Sequence, residues 1–312
     1  MTSLEIKFKM VQISTIGYLL KFGGPKKIIY AGIFYVYDLI KKRSLNLNES
    51  QIIEVNNCKI KTLPNDKGIS SELLIYGNHE PLTTQIISEE LSEGMNCVDI
   101  GSNIGYYALL ESKKIGKLGK VWAIEPSPEN FSALKYNIKL QENKNIQAFN
   151  FAIGDKNGKI EFIISKKSNW SKVKEEKDLL NQDDDIIKVS LKTLDLFSEE
   201  NNLKQIGLLR MDVEGYENKI IDGATQFLKK FKPKIMIEIH MMIMGKKETK
   251  NILEKLKEMN YENKYFIPRI FDSQIIGEKE DIKKEKIDDL LNKLEKDTLP
   301  DSFQLTLESK QE

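Results

Sequence analysis

The feature that most constrains this chain is an alternation. Apolar runs of strand length, "NCVDIG", "GKVWAIEP", "QIGLLRMDVEG" and "KPKIMIEIH", are separated by helix-patterned segments such as "YYALLESKKIG" and "SPENFSALKYNIKLQEN". That rhythm specifies an α/β fold: a mostly parallel, twisted sheet with helices on both faces. Runs such as "IGLLRM" and "KIMIEI" lack the alternation of a half-exposed strand, as expected when both faces are covered. Ser127 and Pro128 read as the N-cap and first residue of one helix. "DKNG" reads as a hairpin turn between the strands "IQAFNFAIGD" and "KIEFIIS". One helix is expected over "YENKIIDGATQFLKKF", and short β pieces in "QIIEV", "KIKTL" and "ELLIYG". Residues 1–70 then make a helical and short-β extension, and residues 71–312 the main domain. The polar segment "KKSNWSKVKEEKDLLNQDDD" breaks the rhythm as either a functional lid or a disordered insert.

Composition removes some classes of function. Lys and Arg number 48 against 47 Asp and Glu, so the chain has no broad basic footprint for nucleic acid. Cys58 and Cys97 are the two cysteines; Cys97 opens an apolar run, which suits a buried thiol and a reducing, cytoplasmic setting. "VQISTIGYLL" lacks a small-residue cleavage site, so no signal peptide is expected. "IIYAGIFYVYDLI", Ile28–Ile40, falls short of the ~20 apolar residues of a membrane span. Lys26 and Lys27 flank it on one side and Lys41, Lys42 and Arg43 on the other. It reads as a helix packed on the main domain, as a helix lying on a membrane surface with basic ends, or as a short tilted span. The second reading makes residues 28–43 a candidate peripheral membrane contact.

In open α/β sheets ligands sit beyond the carboxyl ends of the strands. Asp99, Glu125, Asp212, Glu238 and His240 all fall at such ends. A dinucleotide would need G-x-G-x-x-G, but here Asn103 stands at the second glycine and bulky Tyr106 at the third, and Asp99 would repel a pyrophosphate. S-adenosylmethionine has no phosphate and carries a sulfonium and an ammonium. Asp99 favours such a cation, directly or through water. Gly101 and Gly105 admit close approach of the backbone to the methionine moiety. Glu125 suits the ribose hydroxyls, and Asn103 and Pro126 belong to the same two turns. Ala152 and Asp155 are placed to read the adenine.

In order along the chain, "LLIYGNHEPLTTQII", "VDIGSNIGYYALL", "GKVWAIEPSPENFSALKYNIKL", "FAIGDKNGKIEF", "LLRMDVEGYENKIIDGA" and "KPKIMIEIH" resemble the FkbM-type methyltransferases. The resemblance covers roughly Glu72 to His240. It implies a Rossmann-like class I methyltransferase fold, S-adenosylmethionine as methyl donor, and commonly methylation of a hydroxyl on a sugar, glycolipid or natural product. It also suggests that Glu80 closes over the methionine end of the cofactor. Ser102 stands where the family usually has alanine, and His79 where a tyrosine is common.

Methylating an alcohol requires a general base. Asp212, His240 and Glu214 are the candidates, His240 because its ordinary pKa of ~6.5 lets it accept a proton near neutrality. Asp212, Glu238 and His240 are also the side chains that could hold a divalent metal, although no metal is expected. The acceptor is expected to be a small molecule or glycan, with no nucleic-acid partner. A nucleic-acid methyltransferase and a non-catalytic cofactor-binding module are the rival readings.

Overall fold

The computed structural model describes residues 24–165, 168–175, 178, 184–272 and 278–310. The helical reading of residues 1–23 and part of the insert at 166–186 lie outside the described residues. After a helix at Gly24–Ser44, β1 (Ile52–Val55) and β2 (Cys58–Lys61) form an antiparallel hairpin. Asn56 and Asn57 turn it at φ of 52° and 58°, the left-handed pair that a two-residue hairpin asks for. The later strands are β3 (Asn96–Ile100), β4 (Val121–Ile124), β5 (Ile146–Phe149), β6 (Ala152–Ile153), β7 (Gly158–Ile164), β8 (Lys172–Val173), β9 (Asp185–Lys192), β10 (Ile206–Met211), β11 (Lys234–Ile239), β12 (Tyr261–Pro268) and β13 (Phe303–Ser309).

Seven strands build the main sheet in the order β12-β13-β11-β10-β3-β4-β5. Every pairing from β11 to β5 is parallel, and β13 runs antiparallel to both its neighbours. The chain proceeds outward from β3 through β4 to β5, then returns to place β10 on the other side of β3. A ligand crevice opens at that reversal. The two-residue period of a strand divides the apolar side chains between two cores. Val98, Ile100, Leu209, Met211, Ile235 and Ile237 join one, whereas Cys97, Leu208 and Met236 join the other. The same period puts Asp99, Arg210 and Glu238 on the second face.

Three expectations are corrected. "ELLIYG" is the second half of a helix, Ile69–Tyr76, stopped by Gly77 at φ 68°. Short apolar runs do not separate strand from helix by pattern alone. "DKNG" does join β6 to β7, but not as a hairpin: β6 pairs parallel with β9, and β7 pairs with β8 and β9 in a separate four-stranded sheet. The helix after β10 is two helices, Glu217–Asp222 and Thr225–Phe231, broken at Gly223. A Cβ on Gly223 would stand 1.9 Å from the Gly154 carbonyl oxygen, so the smaller sheet packs directly on the break. Ser127 caps the helix Pro128–Lys139 as expected, accepting from the Asn130 amide at 3.4 Å.

Candidate active site

The turn after β3 is shaped by its neighbours. Gly101 adopts φ 83°, and a Cβ there would lie 1.9 Å from the Asp212 carbonyl oxygen. Only glycine lets the end of β3 pass so close to the end of β10. Gly105 adopts φ 99°, and its Cβ would meet the Leu134 side chain at 2.7 Å. The crowding expected from a cofactor thus comes from the protein itself, which holds the turn rigid. The Asn103 amide donates to Glu125 Oε2 at 2.8 Å, and the Ser127 amide to Glu125 Oε1 at 2.8 Å. The carboxylate at the tip of β4 is thereby fixed against the turn. Burial pushes it up to about 7, against the pull of those two amides.

A cavity of about 760 Å³, open to solvent, lies over these strand ends. Gly101, Ser102 and Asn103 form its floor with Glu125 and Pro126. Phe151, Ala152, Ile153 and Phe162 form an apolar slot on one side. Ser168, Ser171 and Val173 add a wall, so this described part of the insert faces the cavity. Asp212, Glu214, Arg210 and Tyr107 line it as well.

Behind Asp212 and Glu214 is a dense charge cluster. His240 lies just past β11, its Nδ1 3.0 Å from Glu217 Oε1. Its Nε2 stands 3.2 Å from Glu238 Oε1, 3.4 Å from Glu214 Oε2 and 3.9 Å from Asp212 Oδ1. Burial alone would depress this histidine, but Glu214 and Glu238, with hydrogen bonds to Glu217 and Glu238, hold it well above its ordinary value. That direction favours the imidazolium form, which changes the reading of His240 as a proton acceptor. Burial raises Asp212 to about 6 and Glu214 to about 8, with His240 opposing both shifts.

Two arginines compensate the carboxylates. Arg210 donates from Nη1 to Asp99 Oδ1 and from Nη2 to Asp212 Oδ2, each at 3.0 Å. Arg269 donates from Nε to Glu238 Oε1 at 2.9 Å and pairs through Nη2 with Glu80. Ligand atoms of Asp212, Glu238 and His240 all lie within 4.8 Å of one another, close enough to share a divalent ion. Their carboxylates already have cationic partners in the chain.

Several sequence candidates fall elsewhere than expected. Asp99 is fully buried beneath Arg210 and does not line the cavity; its Oδ2 has no hydrogen-bond partner among the described residues. Glu80 does not line it either. Its carboxylate is enclosed by Arg269, His79 and the Tyr107 hydroxyl, which donates at 2.7 Å. Asp155 stands 3.2 Å from the Lys219 ammonium, outside the cavity lining. Glu238 and His240 are a layer deeper than Asp212 and Glu214. Sequence reasoning missed Arg210 and Arg269. A lone arginine inside the apolar run "GLLRM" was the available signal, because a buried guanidinium demands acidic partners.

The sheet order, the antiparallel β13, the glycine turn at the switch point and the carboxylate on the next strand tip together define a Rossmann-like class I methyltransferase. A family model for the methyltransferase FkbM domain matches residues 99–262, and the chain belongs to that family. It is 29% identical over 142 residues to Methyltransferase 1 of Beauveria bassiana, a match covering 40% of this chain and 57% of that protein. It is 26% identical over 194 residues to the hexuronic acid methyltransferase AglP of Haloferax volcanii, covering 59% of this chain and 74% of that one. The crystal structure of a methyltransferase FkbM from Methylobacillus flagellatus aligns with a TM-score of 0.38 at 17% identity, over 54% of this chain and 38% of that one. The chain therefore spans 57% of the length of the first of these relatives.

S-adenosylmethionine is the methyl donor that membership of the family implies, and the residues lining the cavity suit it. The apolar slot beside Phe151 and Ile153 suits an adenine, the Glu125 carboxylate suits ribose hydroxyls, and the acidic side at Asp212 and Glu214 suits a cation.

Proposed function

We propose that the protein methylates a hydroxyl of a sugar, glycolipid or natural product, with the Asp212–Glu214 pair as proton acceptor. The observation that carries this reading is the placement of two carboxylates on the cavity wall beside the glycine turn, backed by an imidazolium. When bound, S-adenosylmethionine supplies a methyl group on a positively charged sulfur. The chain's part is to align an acceptor oxygen and take its proton as the new bond forms. Asp212 is oriented by Arg210, and Glu214 is held at φ 58° by the turn into the helix Glu217–Asp222. Non-glycine residues at such φ are strained, and functional sites are where that strain collects. His240 supplies the charge that lets the pair ionise; it is a positioning residue, fixed in turn by Glu217, whose Oε1 also accepts the Gly215 amide at 3.2 Å.

The hexuronic acid named for the Haloferax relative supports a sugar acceptor here. An acidic cavity wall and a net charge of +1 disfavour a polyanionic nucleic acid. Incubation with labelled S-adenosylmethionine and panels of sugars, glycolipids and RNA tests the proposal. Label transferred to a sugar hydroxyl supports it; transfer confined to RNA, or binding of the cofactor without any turnover, rejects it.

A further inference from the structure

We propose that the helix Gly24–Ser44 docks the protein on an anionic membrane surface, lying in the plane of the lipid headgroups. Its contact with the rest of the chain is a narrow seam. Lys27, Tyr30, Phe34, Asp38 and Lys41 recur at intervals of three or four and, with Ala31, are the less exposed positions. Lys27 pairs with Asp281, Phe34 stacks on Tyr76 with ring centres 5.3 Å apart, and the Tyr76 hydroxyl donates to Asp38 at 2.6 Å.

The opposite stripe is apolar and in water. Ile29, Ile33, Val36 and Ile40 follow the helical repeat and are 62, 53, 54 and 62% exposed, with Ile28, Tyr35 and Leu39 flanking them. The stripe is about 17 Å long at 1.5 Å per residue. An apolar arc of this extent marks an interaction surface.

Charge selects the occupant. Between Lys26 and Arg43 the helix carries five cations, Lys26, Lys27, Lys41, Lys42 and Arg43, and one anion, Asp38; Lys26 and Lys27 pair with Glu278 and Asp281 of the domain, so the surplus of positive charge lies in the last turn. Asp38 is bound by Tyr76 and by Lys42 at 2.7 Å, so no carboxylate of this helix shares the apolar arc. Basic residues in the last turn also complement the helix dipole, but a dipole does not ask for the isoleucines. An apolar stripe leading into a basic last turn, with tyrosines at its margin, is the chemistry of a helix resting on anionic headgroups. No helix among the described residues is long and apolar enough to cross a membrane, so this one lies on the surface.

The test is co-sedimentation of the full chain with vesicles of phosphatidylcholine alone and of phosphatidylcholine mixed with phosphatidylglycerol, with light scattering to follow oligomeric state. The wild type is expected to pellet with the mixed vesicles, and Ile33→Glu/Ile40→Glu to bind at least about tenfold more weakly. Both substituted residues are exposed, so thermal unfolding and S-adenosylmethionine affinity stay as in the wild type. The proposal is overturned if the wild type stays in the supernatant, if it binds both vesicles equally, or if the double variant binds as well. It is also overturned if the double substitution dissolves a dimer that ignores vesicles, because the stripe then belongs to a second copy.

Discussion

Arg210 and Asp99 stand directly opposite one another on adjacent parallel strands, and the guanidinium donates to the carboxylate at 3.0 Å. The same guanidinium reaches Asp212 and stacks 4.0 Å above the Tyr107 ring. One side chain thus ties the glycine-turn strand to the strand that carries the proposed base. Arg210→Met leaves two carboxylates without their cation in a buried site, and breaking such a pair costs about 3–5 kcal/mol. The urea midpoint should fall accordingly. Arg210→Lys keeps the charge but loses the two-pronged geometry, and should fall between the two. An unchanged midpoint in Arg210→Met would show that the cluster does not depend on this cation.

Gly101 and Gly245 separate two costs of glycine replacement. Both have left-handed φ, 83° and 90°, but a Cβ on Gly101 meets the Asp212 carbonyl at 1.9 Å while one on Gly245 meets nothing within 4 Å. Gly245→Ala should lose only the conformational term, about 1–3 kcal/mol for its φ 90°, ψ 164° backbone. Gly101→Ala should lose more, and cofactor affinity with it, because β3 and β10 must separate at the cavity floor. Calorimetric titration with S-adenosylmethionine reads the second effect. Equal losses in the two variants would mean that the close approach carries no weight.

The proposed base predicts a pH profile. A carboxylate accepts a proton only when ionised, and burial raises Asp212 to about 6 and Glu214 to about 8. The pair titrates as a unit, so kcat/KM should climb with pH across that interval. Removing the imidazolium in His240→Gln removes a charge that favours ionisation, so the ascending limb should move to higher pH. Were His240 itself the base, the variant would instead lose the limb. Asp212→Asn or Glu214→Gln should lower kcat by about 10²–10⁴, the usual worth of a positioned base.

Much of this site could be read from the chain because it sits at strand ends, where an apolar run stops and a charge follows. The sequence places Asp99, Glu125, Asp212, Glu238 and His240 at strand ends, and of these Glu125 and Asp212 line the cavity. Spacing along one strand does not tell which charges face a ligand and which face each other. That depended on Arg210 lying across the sheet from Asp99, and on Arg269, thirty-one positions beyond Glu238, folding back onto it. The hairpin reading of "DKNG" failed for a similar reason: its turn is local, but β9 outcompetes β6 as the partner of β7. The helix Ile69–Tyr76 was hidden because "LLIY" is apolar on every side, as a strand covered on both faces would also be.

The cluster of Asp212, Glu238 and His240 yields a prediction about metals. Arg210 and Arg269 neutralise the two carboxylates at 3.0 and 2.9 Å. A divalent ion would have to displace both guanidinium groups and a protonated histidine. Turnover should therefore survive prolonged dialysis against a chelator. Loss of activity restored by magnesium or manganese would show that the ion outcompetes the arginines.

His79 gives a pH signature of stability separate from turnover. It is buried, with Nδ1 2.6 Å from Glu72 and Nε2 2.7 Å from Glu80. Burial alone would lower it, but the charges of Glu80 and Glu72 and the hydrogen bonds to both raise it to about 10. In the unfolded chain a histidine titrates near ~6.5. The folded state therefore holds a proton that the unfolded state has released between those two values. The stabilisation is fully present below about pH 6.5 and is lost as pH rises toward 10. Comparing the melting temperature of the wild type with that of His79→Gln isolates the contribution. The gap should be widest near pH 6 and close by pH 10; a gap independent of pH would mean that His79 is neutral in the fold and acts through packing against Tyr106 and Tyr107 alone.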